Sequence, residues 1–151
     1  MFDDIGDLYQ ELIVDHNARP HNFGVIEGVS HKAHGLNPLC GDDIKIFLKV
    51  DGKTIEDISF TGEGCAICKA SASIMTDEVR GKTLKEAQEL FEVFHTLIAE
   101  EDISELDVDN LGKLSAFSGV RNFPMRVKCA TLAWHTMRAA LENKNDDVTT
   151  E

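Results

Sequence analysis

Proline is scarce in this chain, three in 151 residues, and tryptophan and tyrosine occur once each. With 42% hydrophobic residues and so little proline, the collagen-like, low-complexity and disordered classes are excluded. Positive charge is also short. Lys and Arg number 15 against 27 Asp and Glu, and the formal charge of -12 repels a phosphate backbone, so no nucleic-acid partner is expected. No apolar window approaches the roughly 18 residues that span a bilayer. The start Met1-Phe2-Asp3-Asp4 lacks the basic and apolar regions of a signal peptide. A cytoplasmic protein without a membrane partner is the expectation. Four cysteines in a reducing compartment point to metal or sulfur chemistry rather than to structural disulfides.

The length suits one core. Ile5, Leu8, Tyr9 and Leu12 share a helical stripe, which predicts a helix from Asp3 to Asp15, followed by a loop over His16 to Gly24. A strand is expected within Val25 to Ala33. Ile44, Ile46, Leu48 and Val50 alternate with Lys45, Phe47 and Lys49, and the Asp51-Gly52 turn then leads to a strand from Ile55 to Phe60. From Cys65 the period becomes helical, with Gly81 as the stop. Thr83 and Glu86 form a capping-box signal for a second helix, and Pro124 opens a last one whose core face is Val127, Ala130, Trp134, Met137 and Leu141. The acidic stretch from Glu100 to Gly112 reads as a solvated connection. The expected fold is therefore an α+β domain over residues 1–142: an antiparallel sheet of about three strands with helices on one face, then a mobile acidic tail over 143–151.

Three places carry chemistry. Pro38-Leu39-Cys40-Gly41-Asp42 can aim a thiolate and a carboxylate at one point, or can hold a buried cysteine beside a turn-capping aspartate. Cys65 and Cys68 form a C-x-x-C at a helix start, where the dipole favours a thiolate; a redox pair is the rival reading, although the flanking hairpin and helices differ from a thioredoxin-like βαβ unit. Arg126 and Cys129 stand three apart on the last helix, where Cys129 alone reads as a small core residue. His31 and His34 read as exposed polar residues, and His95 and His135 as packing residues.

Taken together, Asn37-Pro38-Leu39-Cys40-Gly41-Asp42, Gly62-Glu63-Gly64-Cys65 and Phe123-Pro124-Met125-Arg126-Val127-Lys128-Cys129 resemble the IscU/SufU/NifU family of iron-sulfur assembly proteins. His16 to Gly24 is similar to the family's early His-x-x-x-Pro-x-Asn-x-Gly loop. Scaffold members carry Lys-x-His-Cys after a Pro-Pro segment. Here Arg126-Val127-Lys128-Cys129 follows Ser115-Ala116-Phe117-Ser118-Gly119, which, with the added connection around Asp102 to Leu114, looks like the zinc-binding SufU branch. Cys68 departs from the relatives even in that branch.

The resemblance implies Zn²⁺ held by Cys40, Asp42, Cys65 and Cys129, with Cys68 outside the ligand set; an iron-sulfur cluster or iron in the same ligands is the alternative. It implies a sulfurtransferase-like role, in which sulfur passes from a PLP-dependent, SufS-like cysteine desulfurase to Cys40 and onward, a downstream SUF scaffold being one recipient. Arg126 and Lys128 are expected to steady the thiolate or persulfide charge. The alternatives are a scaffold on which a cluster is assembled and a C-x-x-C redox protein. Apart from its partners, the chain is expected to be a monomer.

Overall fold

The computed structural model describes residues 11–100, 102–104, 106, 108–143 and 147–149. A first helix, α1, covers residues 11–18 and so runs past the expected end at Asp15; Ile5, Leu8 and Tyr9 lie outside the described residues. Strands β1 (His31–Asn37), β2 (Asp42–Asp51) and β3 (Thr54–Glu63) precede helices α2 (Ala66–Val79) and α3 (Leu84–Ala99). A 3-10 segment (Val108–Asn122), helix α4 (Pro124–Leu141) and a short strand β4 (Val148–Thr149) complete the order.

The sheet runs β3-β2-β1-β4. The first three strands are antiparallel neighbours, while β4 lies parallel to β1 through Gly35↔Val148 and Leu36↔Thr149. The fold is the α+β one expected, with a mixed sheet of four strands in place of three antiparallel ones. The first strand also differs from the expectation of Val25 to Ala33, since pairing with β2 begins at His31 and ends at Asn37. Gly24 and Gly28 take φ of +129° and +75°, which breaks extension through the preceding Val-Ile run, and Val25 is exposed. Residues 22–24 run along the outer edge of β3, where Gly24 N–H donates to Phe60 O (2.8 Å) and Phe60 N–H to Asn22 O (3.1 Å). Covering that edge removes a template for further pairing.

The alternation in β2 sorts the faces. Ile44, Ile46 and Leu48 are buried under the helices, whereas Lys45 on the other face is exposed. Helix α4 packs across β1 and β2, α2 against β3 and α4, and α3 against α4 and the 3-10 segment. The single tryptophan joins these helices. Trp134 of α4 is fully buried, stacks on Phe94 of α3 (centroids 4.6 Å apart, 20° between planes) and donates its indole N–H to Ser71 Oγ of α2 (3.1 Å). Thr83 caps α3 with the expected box, in which its hydroxyl accepts from Glu86 N–H (3.1 Å) and the Glu86 carboxylate accepts from Thr83 N–H (3.0 Å). The expected solvated connection is only partly so. Within it Ile103, Leu106 and Leu111 are partly buried against the core, and the 3-10 segment that starts at Val108 and is interrupted at Gly112 goes on, beyond that stretch, to bury Leu114, Phe117 and Val120.

Candidate metal centre

Asn37 and Asp42 face each other at the closed end of the β1–β2 pair. The turn between them, Pro38-Leu39-Cys40-Gly41, uses φ +71° at Gly41 and a Cys40 N–H to Asn37 O bond of 3.1 Å. Cys40 is half-buried there, while Asp42 is 1% exposed. A buried carboxylate needs partners. Asp42 Oδ1 accepts the Cys65 backbone N–H (2.9 Å), and Oδ2 accepts from Asn37 Nδ2 (3.3 Å). Gly64 permits this approach, because a Cβ at that position would lie 2.6 Å from Asp42 Oδ1.

Cys65 is the N-cap of α2, its sulfur accepting from Cys68 N–H at 3.4 Å. Cys129 comes from α4, is 2% exposed, and lies 3.6 Å from Asn37 Nδ2, which donates to its sulfur. Ligand atoms of Cys40, Asp42 and Cys129 lie within 4.8 Å of one another; Cys65 is outside that trio but lines the same cleft as Cys40 and Cys129. Burial, followed by hydrogen bonds with Cys40, Asp42 and Cys65, pushes the Cys129 thiol up. Burial likewise pushes up the Cys68 thiol, with the charges of Asp42, Cys65 and Cys40 adding to it. Cys68 is 1% exposed and packs in the core, whereas a reactive thiol needs access.

The donor set fits Zn²⁺. Thiolates and one carboxylate oxygen are the ligands that four-coordinate zinc prefers, and Asn37 supports two of them from behind with one amide. The buried Asn37 Oδ1 has no hydrogen-bond partner among the described residues. A cluster could use the same thiolates. A cleft of about 860 Å³ opens over the site, lined by Cys40, Cys65, Cys129 and Arg126 and walled by apolar groups such as Ile13 and Val14 of α1. Arg126 lies with its guanidinium carbon 4.8 Å from the Phe123 ring centre. Lys128 is half-buried and is not among the described residues lining the cleft. Asn37 is the site residue that sequence reasoning missed, though it opens the first cysteine motif. His34, expected to be merely exposed, is half-buried between Asp43 (2.5 Å) and Asp147 (3.4 Å).

The NifU-like N terminal domain matches residues 8–130. The chain is 40% identical over 136 residues to the iron-sulfur cluster assembly scaffold protein IscU of Streptococcus pyogenes serotype M1, covering 89% of this chain and 83% of that one. It is also 40% identical over 130 residues to the zinc-dependent sulfurtransferase SufU of Bacillus subtilis strain 168, covering 86% of each. The crystal structure of FiSufU from Fervidobacterium islandicum AW-1 matches with a TM-score of 0.77 at 35% identity, over 87% of this chain and 94% of that one. The chain therefore belongs to the family of the NifU-like N-terminal domain, the iron-sulfur cluster assembly proteins that include IscU and SufU.

Proposed function

We infer that this protein is a zinc-dependent sulfur acceptor of iron-sulfur cluster biogenesis. The observation that carries the reading is the meeting of Cys40, buried Asp42 and Cys129, with both cysteines lining an open cleft and Cys40 alone of the three on a turn. Cys65 completes the proposed ligand set. Bound Zn²⁺ would supply the positive charge that keeps these donors deprotonated at neutral pH. The donor of sulfur is a PLP-dependent, SufS-like cysteine desulfurase docking over the Cys40 face, and a SUF scaffold is one onward recipient. Both encounters belong to the cytoplasm, with the protein a monomer between them.

In the transfer, the Cys40 thiolate attacks the outer sulfur of the desulfurase's cysteine persulfide. The S–S bond of that persulfide breaks as a new one forms to Cys40, and the desulfurase cysteine leaves as a thiolate. No external oxidant enters. Cys40 suits the role because turn residues re-aim more easily than Cys65 at a helix cap or Cys129 packed in α4. Arg126 faces the same cleft and lowers the cost of anionic sulfur there, and Lys128, two residues on in α4 and not among the described residues lining the cleft, adds positive charge at longer range. The test is paired substitution. Zinc analysis of the chain purified without chelator should give one ion per chain, and Cys40→Ala should abolish both persulfide mass on the protein and stimulation of the desulfurase. Cys68→Ala should keep both. Activity lost with Cys68→Ala and kept with Cys40→Ala would establish the C-x-x-C redox reading instead, and cluster absorption in anaerobic preparations would favour the scaffold.

A further inference from the structure

A second group of metal-type side chains lies away from the cysteines. His16 lies in the last turn of α1, His21 follows in the loop, and Asp77 sits near the C-terminal end of α2; a nitrogen of each imidazole and a carboxylate oxygen lie within 4.8 Å of one another. Cys65 and Asp77 are separated by twelve residues of one helix, roughly 18 Å along its axis, so the two centres are distinct. We propose that His16, His21 and Asp77 form a second binding site, for a divalent transition-metal ion of the zinc type.

Two imidazoles and one carboxylate are a common three-ligand set for such ions, with water as the fourth ligand. The surroundings resemble the support that metal-ligating histidines receive. His16 is 3% exposed and its Nδ1 lies 2.7 Å from Ser73 Oγ, which also accepts the His21 backbone N–H at 2.7 Å. In the tautomer that donates from Nδ1 to Ser73, the Nε2 lone pair is left for a ligand. Burial first, then His21 and Lys113, lower the His16 pKa, so the ring is neutral at physiological pH. Asp77 is oriented as well, because Asn22 Nδ2 donates to its Oδ1 (3.1 Å) and to Thr76 Oγ1 (3.0 Å). His21 Nδ1 pairs with Asp77 Oδ2 at 2.6 Å, and the Lys113 ammonium stands 4.0 Å from the same oxygen. Lys113 and His21 are both about half exposed, so each can turn aside for an ion. Occupancy would clamp the end of α1 to α2. Since Ile13 and Val14 of α1 wall the thiolate cleft, the second ion would stiffen that wall.

The experiment is calorimetric titration of the full chain, already carrying its first equivalent of zinc, with further Zn²⁺. A second equivalent should bind, with histidine ring resonances shifting in the NMR spectrum. His21→Gln and Asp77→Asn should each weaken that second event at least tenfold. Both side chains are at or near the surface, so folding is retained and circular dichroism verifies it. Lys113→Gln should tighten binding, and Cys40→Ala should leave the second event in place. No second equivalent in the parent chain, or one that persists unchanged in both His21→Gln and Asp77→Asn, would overturn the proposal.

Discussion

A single amide spans the cysteine site from behind. Asn37 Nδ2 reaches both Asp42 Oδ2 and Cys129 Sγ, so one side chain aligns a ligand from β2 with one from α4, although the two lie far apart in the chain. Replacing Asn37 with Ala leaves the buried carboxylate with one donor fewer. The expected cost is about 1–3 kcal/mol of stability, read from urea midpoints, and a 10–100-fold loss of zinc affinity in chelator competition, as for other groups that orient metal ligands. Unchanged affinity would mean that the Cys65 N–H alone orients Asp42. The four candidate ligands were legible because Cys-Gly-Asp, Gly-x-Gly-Cys and Arg-x-Lys-Cys are local patterns with chemical meaning. Asn37 was not, because its partners are set by tertiary approach, and an Asn before Pro reads equally as a turn former. The His16, His21 and Asp77 group was hidden for the same reason: His21 reaches Asp77 from a loop 56 positions away, and His16 comes from α1.

Among the elements, the 3-10 segment bears most directly on packing around the site. Leu111, Leu114, Phe117 and Val120 recur every third residue, the period of a 3-10 helix, and the last three are buried at 1%, 0% and 5% exposure. A search for helical stripes at 3.6 or strand alternation at 2 passes over that spacing, which is why the acidic approach to it read as a solvated connection. The three strands' neighbours were misread through composition. Val25 and Ile26 favour extension, but glycines on either side turn the chain, and β1 is built instead from His31-Lys32-Ala33-His34, a poor strand sequence held by pairing with β2. By contrast, α3 was plain because its capping box and its apolar face agree. Phe117 packs edge-on against Phe94 at 5.7 Å, so it ties the 3-10 segment to α3 beneath the cleft lining of Ala116 and Val120. Phe117→Ala should destabilise the chain by about 3–5 kcal/mol. Lys113→Ala in the same segment, where the side chain is exposed, should change stability by no more than about 0.5 kcal/mol. Equal effects in thermal melts would mean that the segment does not pack as described.

At the scale of the whole molecule, the charge of -12 and two imidazoles, buried His16 and half-buried His135, pull stability in opposite directions as pH falls. Protonation of carboxylates relieves self-repulsion. His135 acts against this, because burial first, and then Arg138 on the same helix and His95 on α3, lower its pKa from 6.5 to about 4. It packs edge-on against Phe91 (5.1 Å) and near His95 (5.8 Å), while Arg138, over the Phe91 ring, is offset by Glu92 and Glu142 at 3.8 and 3.9 Å. Above pH 6.5 the ring is neutral in both folded and unfolded chains, so it adds no pH dependence there. Between 6.5 and about 4 the unfolded chain takes up a proton that the folded one refuses, and stability is lost progressively. His16, whose pKa is also lowered by burial, works in the same direction. Acid also loosens any metal held by the cysteines, so the contribution of His135 must be isolated by comparison at matched pH. His135→Gln keeps a polar side chain but removes the titration. Its urea midpoint relative to the parent should therefore rise steadily as pH is lowered from 6.5 toward 4, and a difference that stays constant across that window would show that His135 titrates alike in both states.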